Sequence, residues 1–260
     1  MTAPVDIEFL HRLADAADAI TSARFRQALE IDTKVKPGFS FDPVTDADRD
    51  AELAIREILT ATYPDHSVLG EEFGLAGDSR FQWVIDPIDG TRPFLCGIPV
   101  WGTLIGLTQD GVATHGLMSQ PFTGERFWGE PDGAWTQRNG VRHPIRTRAV
   151  DDLAGAVLHT TSPEGWPDHL LDGFAQLKSA TRMTRYGGEC YAMVMVAAGQ
   201  IDLAIEPSLQ PYDIVALIPV IEQAGGVVTR LDGARAEAGG PVLISANQRL
   251  HDQTLRLFST

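Results

Sequence analysis

The chain has 260 residues, 35 of them acidic and 21 basic, for a formal net charge of −14. With 43% hydrophobic and 22% charged residues it has the composition of a globular protein with a sizeable core, which excludes disorder, collagen-like repeats and coiled coils. Such acidity also speaks against non-specific nucleic-acid binding, which needs clustered Lys and Arg to displace counterions. Two cysteines, Cys96 and Cys190, make no disulfide framework. No stretch approaches the roughly 18 uninterrupted apolar residues of a membrane span, and the N-terminus lacks the basic and apolar regions of a signal peptide. A cytoplasmic protein is expected.

In chain order, residues 6–29 predict an amphipathic helix with Leu10, Leu13, Ala17 and Ile20 on its apolar stripe. A second helix is expected from Thr45 or Asp46 as cap, through Leu53, Ile55, Ile58 and Leu59, to Pro64. The periodicity then shortens. Residues 67–70, 83–86, 101–109, 112–120 and 125–129 read as strands between Gly, Pro and Asp turns, with Asp110-Gly111 as a hairpin signal. Further on, strands are expected at 153–160, 202–206, 227–231 and 242–246. Helices are expected at 169–176, 190–199 and 214–224, and from 247 toward 258. A strand-rich first half and an alternating second half imply two packed α/β units, residues 1–147 and 148–260.

The most informative segment is Trp83-Val84-Ile85-Asp86-Pro87-Ile88-Asp89-Gly90-Thr91. An apolar strand runs into Asp86, Pro87 stops the ladder, a second carboxylate follows three residues later, and Gly90-Thr91 opens a helix. Carboxylate oxygens suit a hard cation such as Mg²⁺, and free N–H groups at a helix start favour an anion. Alone, Asp-Pro-x-Asp reads first as a solvent-facing turn. Four further acidic clusters stand at element ends: Asp46 and Asp48 after Val44-Thr45, Glu71-Glu72 after Leu69-Gly70, Glu206, and Asp213 after Tyr212. Capping explains any one of them, but poorly explains all five with this local chemistry. Bound cations would also reconcile an acidic chain with a site for an anion.

These segments resemble the inositol-monophosphatase superfamily of Mg²⁺-dependent, Li⁺-sensitive phosphatases. The likeness rests on Asp86-Pro87-Ile88-Asp89-Gly90-Thr91, on Tyr212-Asp213-Ile214-Val215-Ala216 through Glu222-Gln223-Ala224-Gly225-Gly226, and on the Val44–Asp48 and Gly70–Glu72 segments in the expected order. It covers nearly the whole chain. It implies a layered αβαβα fold, a homodimer and a small phosphate ester as substrate. By this resemblance, Glu71, Asp86 and the main-chain carbonyl of Ile88 hold one Mg²⁺. Asp86 bridges to a second ion held also by Asp89 and Asp213, and a third, weaker ion leans on Glu71. Asp46 and Thr91 match the pair that orients and deprotonates the attacking water, while the amides of Gly90 and Thr91 face the phosphate. Lys36 matches a basic residue near the metals, and the loop 34–43 is a candidate lid. Two positions depart from the pattern: Pro93 stands where the family carries Asn, and Tyr212 where it carries Trp.

Substrate choice rests on residues beyond the metals. Tyr186-Gly187-Gly188-Glu189-Cys190-Tyr191 matches the segment that lines the family's leaving-group pocket, where inositol-specific members carry a small residue in place of Glu189. Glu206, seven residues before Asp213, matches a substrate-contacting acid, and Asp89 and Asp213 also face the substrate. This pattern resembles the histidinol-phosphate phosphatase branch, whose substrate carries an amine and an imidazole that two carboxylates would attract. Inositol 1-phosphate is the alternative substrate, and a non-catalytic regulator that binds metal and phosphate esters is the alternative of another class. No Gly-x-x-x-x-Gly-Lys-Ser/Thr motif supports an NTPase, and the histidines show no metal-ligand spacing.

Overall fold

A computed structural model of the chain describes residues 5–28, 31–33 and 43–259. Helix α1 (Ile7–Arg24) starts where the Asp6 carboxylate accepts the Glu8 N–H. It stops short of residue 29 because Phe25 turns extended and leaves the helix to pack with Ala47, Ile88, Phe94 and Trp101. Strands β1 (Ile31–Thr33) and β2 (Pro43–Thr45) form a small antiparallel pair. Helix α2 (Asp46–Thr62) follows, its start fixed by a reciprocal capping box between Thr45 and Asp48. Its buried face differs from the predicted stripe: Leu53 is exposed, while Asp48 and Glu52 are buried beside Ala51, Ile55 and Leu59.

The larger sheet holds β3 (Ser67–Gly70), β4 (Gly74–Ala76), β5 (Phe81–Asp89) and, after the short helix α3 (Thr91–Leu95), β6 (Gly102–Gln109) and β7 (Val112–Gln120). Strands β8 (Glu125–Glu130), β9 (Gly133–Arg138) and β10 (Val141–Pro144) complete it. The spatial order is β10-β9-β8-β7-β6-β5-β3-β4, antiparallel except between β3 and β5. The second half alternates as expected: β11 (Val157–Thr160), α4 (Asp168–Ala180), β12 (Met183–Tyr186), α5 (Glu189–Ala197), β13 (Leu203–Leu209), α6 (Pro211–Ile214) and α7 (Leu217–Gln223). It ends with β14 (Val227–Arg230), β15 (Gly240–Ser245) and α8 (Gln248–Leu255), and its five strands run β12-β11-β13-β15-β14. Two expectations need correction here. Residues 153–155 form a 3₁₀ turn capped by Asp152, so the strand begins only at Val157. The helix expected over 214–224 is two, because Pro219 has no N–H to give to the carbonyl four residues back.

The layers stack as αβαβα. One face of the larger sheet, through Trp83, Ile85, Ile105 and Leu117, packs on Leu10, Leu13 and Ala17 of α1 and on Ile55 and Leu59 of α2. Its opposite face, through Val84, Leu104, Met118 and Phe127, shares a core with α5, α7 and the second sheet. Consecutive residues of β5 thus serve opposite faces, as the two-residue strand period requires. Gly106, Gly116 and Gly129 lie in register across β6, β7 and β8. A β-carbon on Gly106 would come 2.9 Å from the Ala216 nitrogen, and those on Gly116 and Gly129 would run into the backbones of Ala216 and Pro219. This smooth groove lets the segment after α6 lie directly on the sheet, which brings Asp213 to the end of β5.

Candidate active site

The site is built on a bulge. Asp86 pairs with Leu104 and Asp89 with Gly102, so β5 carries one residue more than its partner between the two carboxylates. Pro87 donates nothing to the ladder, its carbonyl accepts from the Thr103 hydroxyl at 2.8 Å, and the Asp86 carboxylate accepts the Ile88 N–H at 3.0 Å. A regular strand would send residues three apart to opposite faces; the extra residue turns Asp86 and Asp89 toward the same cleft. Strand β13 repeats the device. Its register slips between Glu206 and Leu209 against β15, and Glu206 faces that cleft too.

Asp86, Asp89 and Asp213 each bring a carboxylate oxygen to within 4.8 Å of the others. Asp213 sits in the single turn of α6, where one of its oxygens accepts the Gln210 N–H at 2.6 Å. Glu71 lies just beyond β3 with its N–H bonded to the Ile85 carbonyl at 3.1 Å, which places it beside Asp86 in the same cleft. Ile88, Gly90 and Thr91 line the cleft as well. Lys36 and most of the loop 34–43 fall outside the described residues.

One predicted pairing is not what the fold brings together. Asp46 ion-pairs with Arg24 on α1, whereas the Thr91 hydroxyl approaches Asp48 Oδ1 at 3.4 Å and the Ile88 carbonyl at 3.3 Å. The reason is helical geometry. Asp46 and Asp48 are two residues apart at the start of α2, so they point about 200° apart, and it is Asp48 that reaches Thr91 at the edge of the cleft. The signal was present as Thr45-x-x-Asp48, a capping-box spacing that buries the second residue.

The other end of the cleft carries Glu189 and Glu206. Glu189 opens α5 with φ +43°, and its Oε2 is buried with no hydrogen-bond partner among the described residues. Glu206 is buried and accepts the Thr161 N–H at 2.6 Å. Asp89 links the two ends: its Oδ2 accepts the Cys190 N–H at 2.7 Å, next to Glu189. Cys190 is buried and Cys96 exposed.

The electrostatics of the cleft are those of anions short of a counter-charge. Burial, then repulsion from Glu71, Asp89, Asp213 and Asp48, pushes Asp86 well above the usual carboxylate range. Burial lifts Asp89 to about 6 against the pull of its Cys190 hydrogen bonds. Glu189 rises to about 7 through burial and Asp89, and Glu206 to about 8 through burial, despite Thr161. A divalent cation at the three aspartates would relieve that repulsion, and an all-oxygen donor set suits Mg²⁺. The cleft encloses about 250 Å³, a volume for a small ligand. Among the described residues no helix is long and apolar enough to cross a membrane.

Comparison with known proteins agrees with this geometry. The sequence profile of the inositol monophosphatase family matches residues 5–260. A histidinol-phosphatase of Streptomyces coelicolor is 41% identical over 257 residues, 96% of this chain and 95% of that protein. A histidinol-phosphatase of Mycobacterium tuberculosis is 39% identical over 96% of both chains. Among solved structures, an inositol monophosphatase from Zymomonas mobilis superposes with a TM-score of 0.85 at 37% identity, covering 97% of each chain. The profile spans nearly the whole chain and the relatives cover it almost end to end, so the chain belongs to the inositol monophosphatase family.

Proposed function

We propose that the protein is a Mg²⁺-dependent phosphomonoesterase that hydrolyses L-histidinol phosphate to L-histidinol and phosphate, in histidine biosynthesis. The observation that carries the substrate is the pair of carboxylates facing one cleft beyond the aspartate cluster: Glu206, which is buried, and Glu189, which is half-buried with its Oε2 enclosed. The names of the Streptomyces and Mycobacterium relatives support the same reading. As the family resemblance implies, the enzyme works as a cytoplasmic homodimer.

In this reading Glu71, Asp86, Asp89, Asp213 and the Ile88 carbonyl hold two or three Mg²⁺. When bound, these ions neutralise the phosphoryl oxygens and make water nucleophilic at neutral pH. Thr91 donates its hydroxyl hydrogen to Asp48, so its lone pairs can accept a proton of the attacking water while its own proton passes to the Asp48 carboxylate. The main-chain amides of Gly90 and Thr91 orient the phosphate. Glu189 and Glu206 attract the ammonium and imidazolium of the leaving alcohol, and that charge in turn lowers the raised pKa values of both carboxyls.

The test is phosphate release from histidinol phosphate, inositol 1-phosphate and a neutral aryl phosphate, each with Mg²⁺ and with EDTA. Exchanging one of the two carboxylates for Gln, as in Glu189→Gln or Glu206→Gln, removes about 2–3 kcal/mol of charge contact, or roughly 30- to 150-fold in kcat/KM for histidinol phosphate. The neutral ester should change only a few-fold. The Zymomonas relative favours inositol 1-phosphate as the second reading; a higher kcat/KM for that ester in the wild type would replace the first.

A further inference from the structure

Helix α2 buries a second carboxylate that the reaction does not use. Glu52 is 0% exposed and stands one turn after Asp48, on the same helix face. Its Oε2 accepts the Glu72 N–H at 2.7 Å, and its Oε1 lies 3.3 Å from the Phe73 nitrogen, which also donates to it. These are the first two amides after Glu71. Arg56, one turn further along, donates from Nε to Glu52 Oε1 at 2.7 Å and from Nη2 to the Gly74 carbonyl at 2.5 Å. The pair therefore grips the turn that follows Glu71 by its N–H groups on one side and its carbonyl on the other. Gly70 closes the arrangement, since a β-carbon there would overlap the Glu52 carboxylate.

We propose that Glu52, backed by Arg56, is a positioning residue for the metal-ligating Glu71, acting through the main chain of residues 70–74. A buried carboxylate is kept here because two adjacent amides in a tight turn need an anion between them. Its place on α2 gives it a second consequence. The helix that points Asp48 at Thr91 also fixes the turn bearing Glu71, so the proton-accepting pair and the first metal ligand are held by one rigid element. The inference rests on the metal reading of Glu71 given above.

The test is Mn²⁺ binding to the purified, substrate-free protein, read by the electron paramagnetic resonance signal of free Mn²⁺, for wild type, Glu52→Gln, Arg56→Gln and Glu71→Gln. Circular dichroism identifies the variants that fold. Glu52→Gln should raise the Mn²⁺ Kd at least tenfold, and its hydrolytic rate should recover as Mg²⁺ is raised, which damage to the core would not allow. If Glu52→Gln does not fold, Arg56→Gln decides: its side chain is partly exposed, and a Kd raised at least threefold supports the proposal. A Kd within twofold of wild type in a folded Glu52→Gln overturns it, as does the same result in Arg56→Gln where that variant decides, provided Glu71→Gln weakens binding. If Glu71→Gln itself leaves Mn²⁺ affinity unchanged, the metal reading of Glu71 fails and this inference falls with it.

Discussion

Asn substitutions at Asp48 and at Asp46 separate two roles that the sequence places side by side. Asp48 is 1% exposed, with one oxygen toward Thr91 and the other accepting the Thr45 N–H at 2.9 Å and the Thr45 hydroxyl at 2.6 Å. Asparagine keeps this shape but cannot take a proton, and its amide puts donor hydrogens where other donors already point. Loss of a proton acceptor costs about 10²- to 10⁴-fold in kcat, equivalent to about 2.7–5.4 kcal/mol of barrier. Loss of the cap adds about 1 kcal/mol of lost stability. Asp46 ion-pairs with Arg24, between side chains 33% and 37% exposed, a contact worth no more than about 1 kcal/mol, and its other oxygen has no hydrogen-bond partner among the described residues. Asp46→Asn should therefore keep kcat within about threefold. The assay is phosphate release at saturating substrate and Mg²⁺, with Tm measured alongside to separate chemistry from folding. A folded Asp48→Asn with near wild-type kcat, or a loss of more than tenfold in Asp46→Asn, would refute the reasoning.

Three other perturbations have defined outcomes. Asp202 is fully buried, bound through both oxygens by Arg148 and accepting the Val157 N–H at 2.7 Å, so Arg148→Met strands a charge. Such a loss costs about 3–5 kcal/mol when both partners are buried; Arg148 is 42% exposed, so about 2–3 kcal/mol is expected in urea unfolding, and less than 1 would contradict it. Burial holds His159 and His251 near pKa 4, below the ordinary 6.5. Both are neutral in the fold, so their stabilising contribution is complete above pH 6.5 and is lost as pH falls toward 4, by up to about 3 kcal/mol each. The stability difference between wild type and His159→Leu should shrink over that window; a pH-independent difference would count against it. Glu189, Glu206 and Asp89 have the opposite sign: their folded pKa values are raised, so the metal-free fold loses stability as pH climbs from about 4, where the unfolded carboxyls ionise, to about 8. EDTA should consequently lower Tm more at pH 8.5 than at pH 6, and equal Tm values with and without metal would sink the cation site.

Local chemistry makes much of this protein legible in its sequence. The strand into Asp86, the hairpin at Asp110-Gly111, the apolar stripe of α1 and the alternation of the second half follow from periods of two and 3.6 residues and from turn residues, all readable within a short window. The acids gathered in the cleft were identified for a related reason: each ends a strand or opens a helix, where a carboxylate has local meaning. The short strands β9, β10 and β12 escaped, because neither run length nor alternation marks them and pairing partners supply the definition.

What the sequence by itself determined was the list of acids and the family they belong to. Tertiary structure alone decided which of them meet. Asp46 and Asp48 differ by two residues, and only the docking of α2 on the larger sheet sends one to Arg24 and the other to Thr91. Glu52 reads as a solvated helix residue until the turn after Glu71 is laid against it, 20 residues away in the chain. Asp213 reaches Asp86 because a stripe of glycines on three strands leaves room for the backbone that follows it, at Ala216 and Pro219, a contact that no window of neighbouring residues contains. Contacts between distant segments are set by packing and register, which are properties of the whole chain.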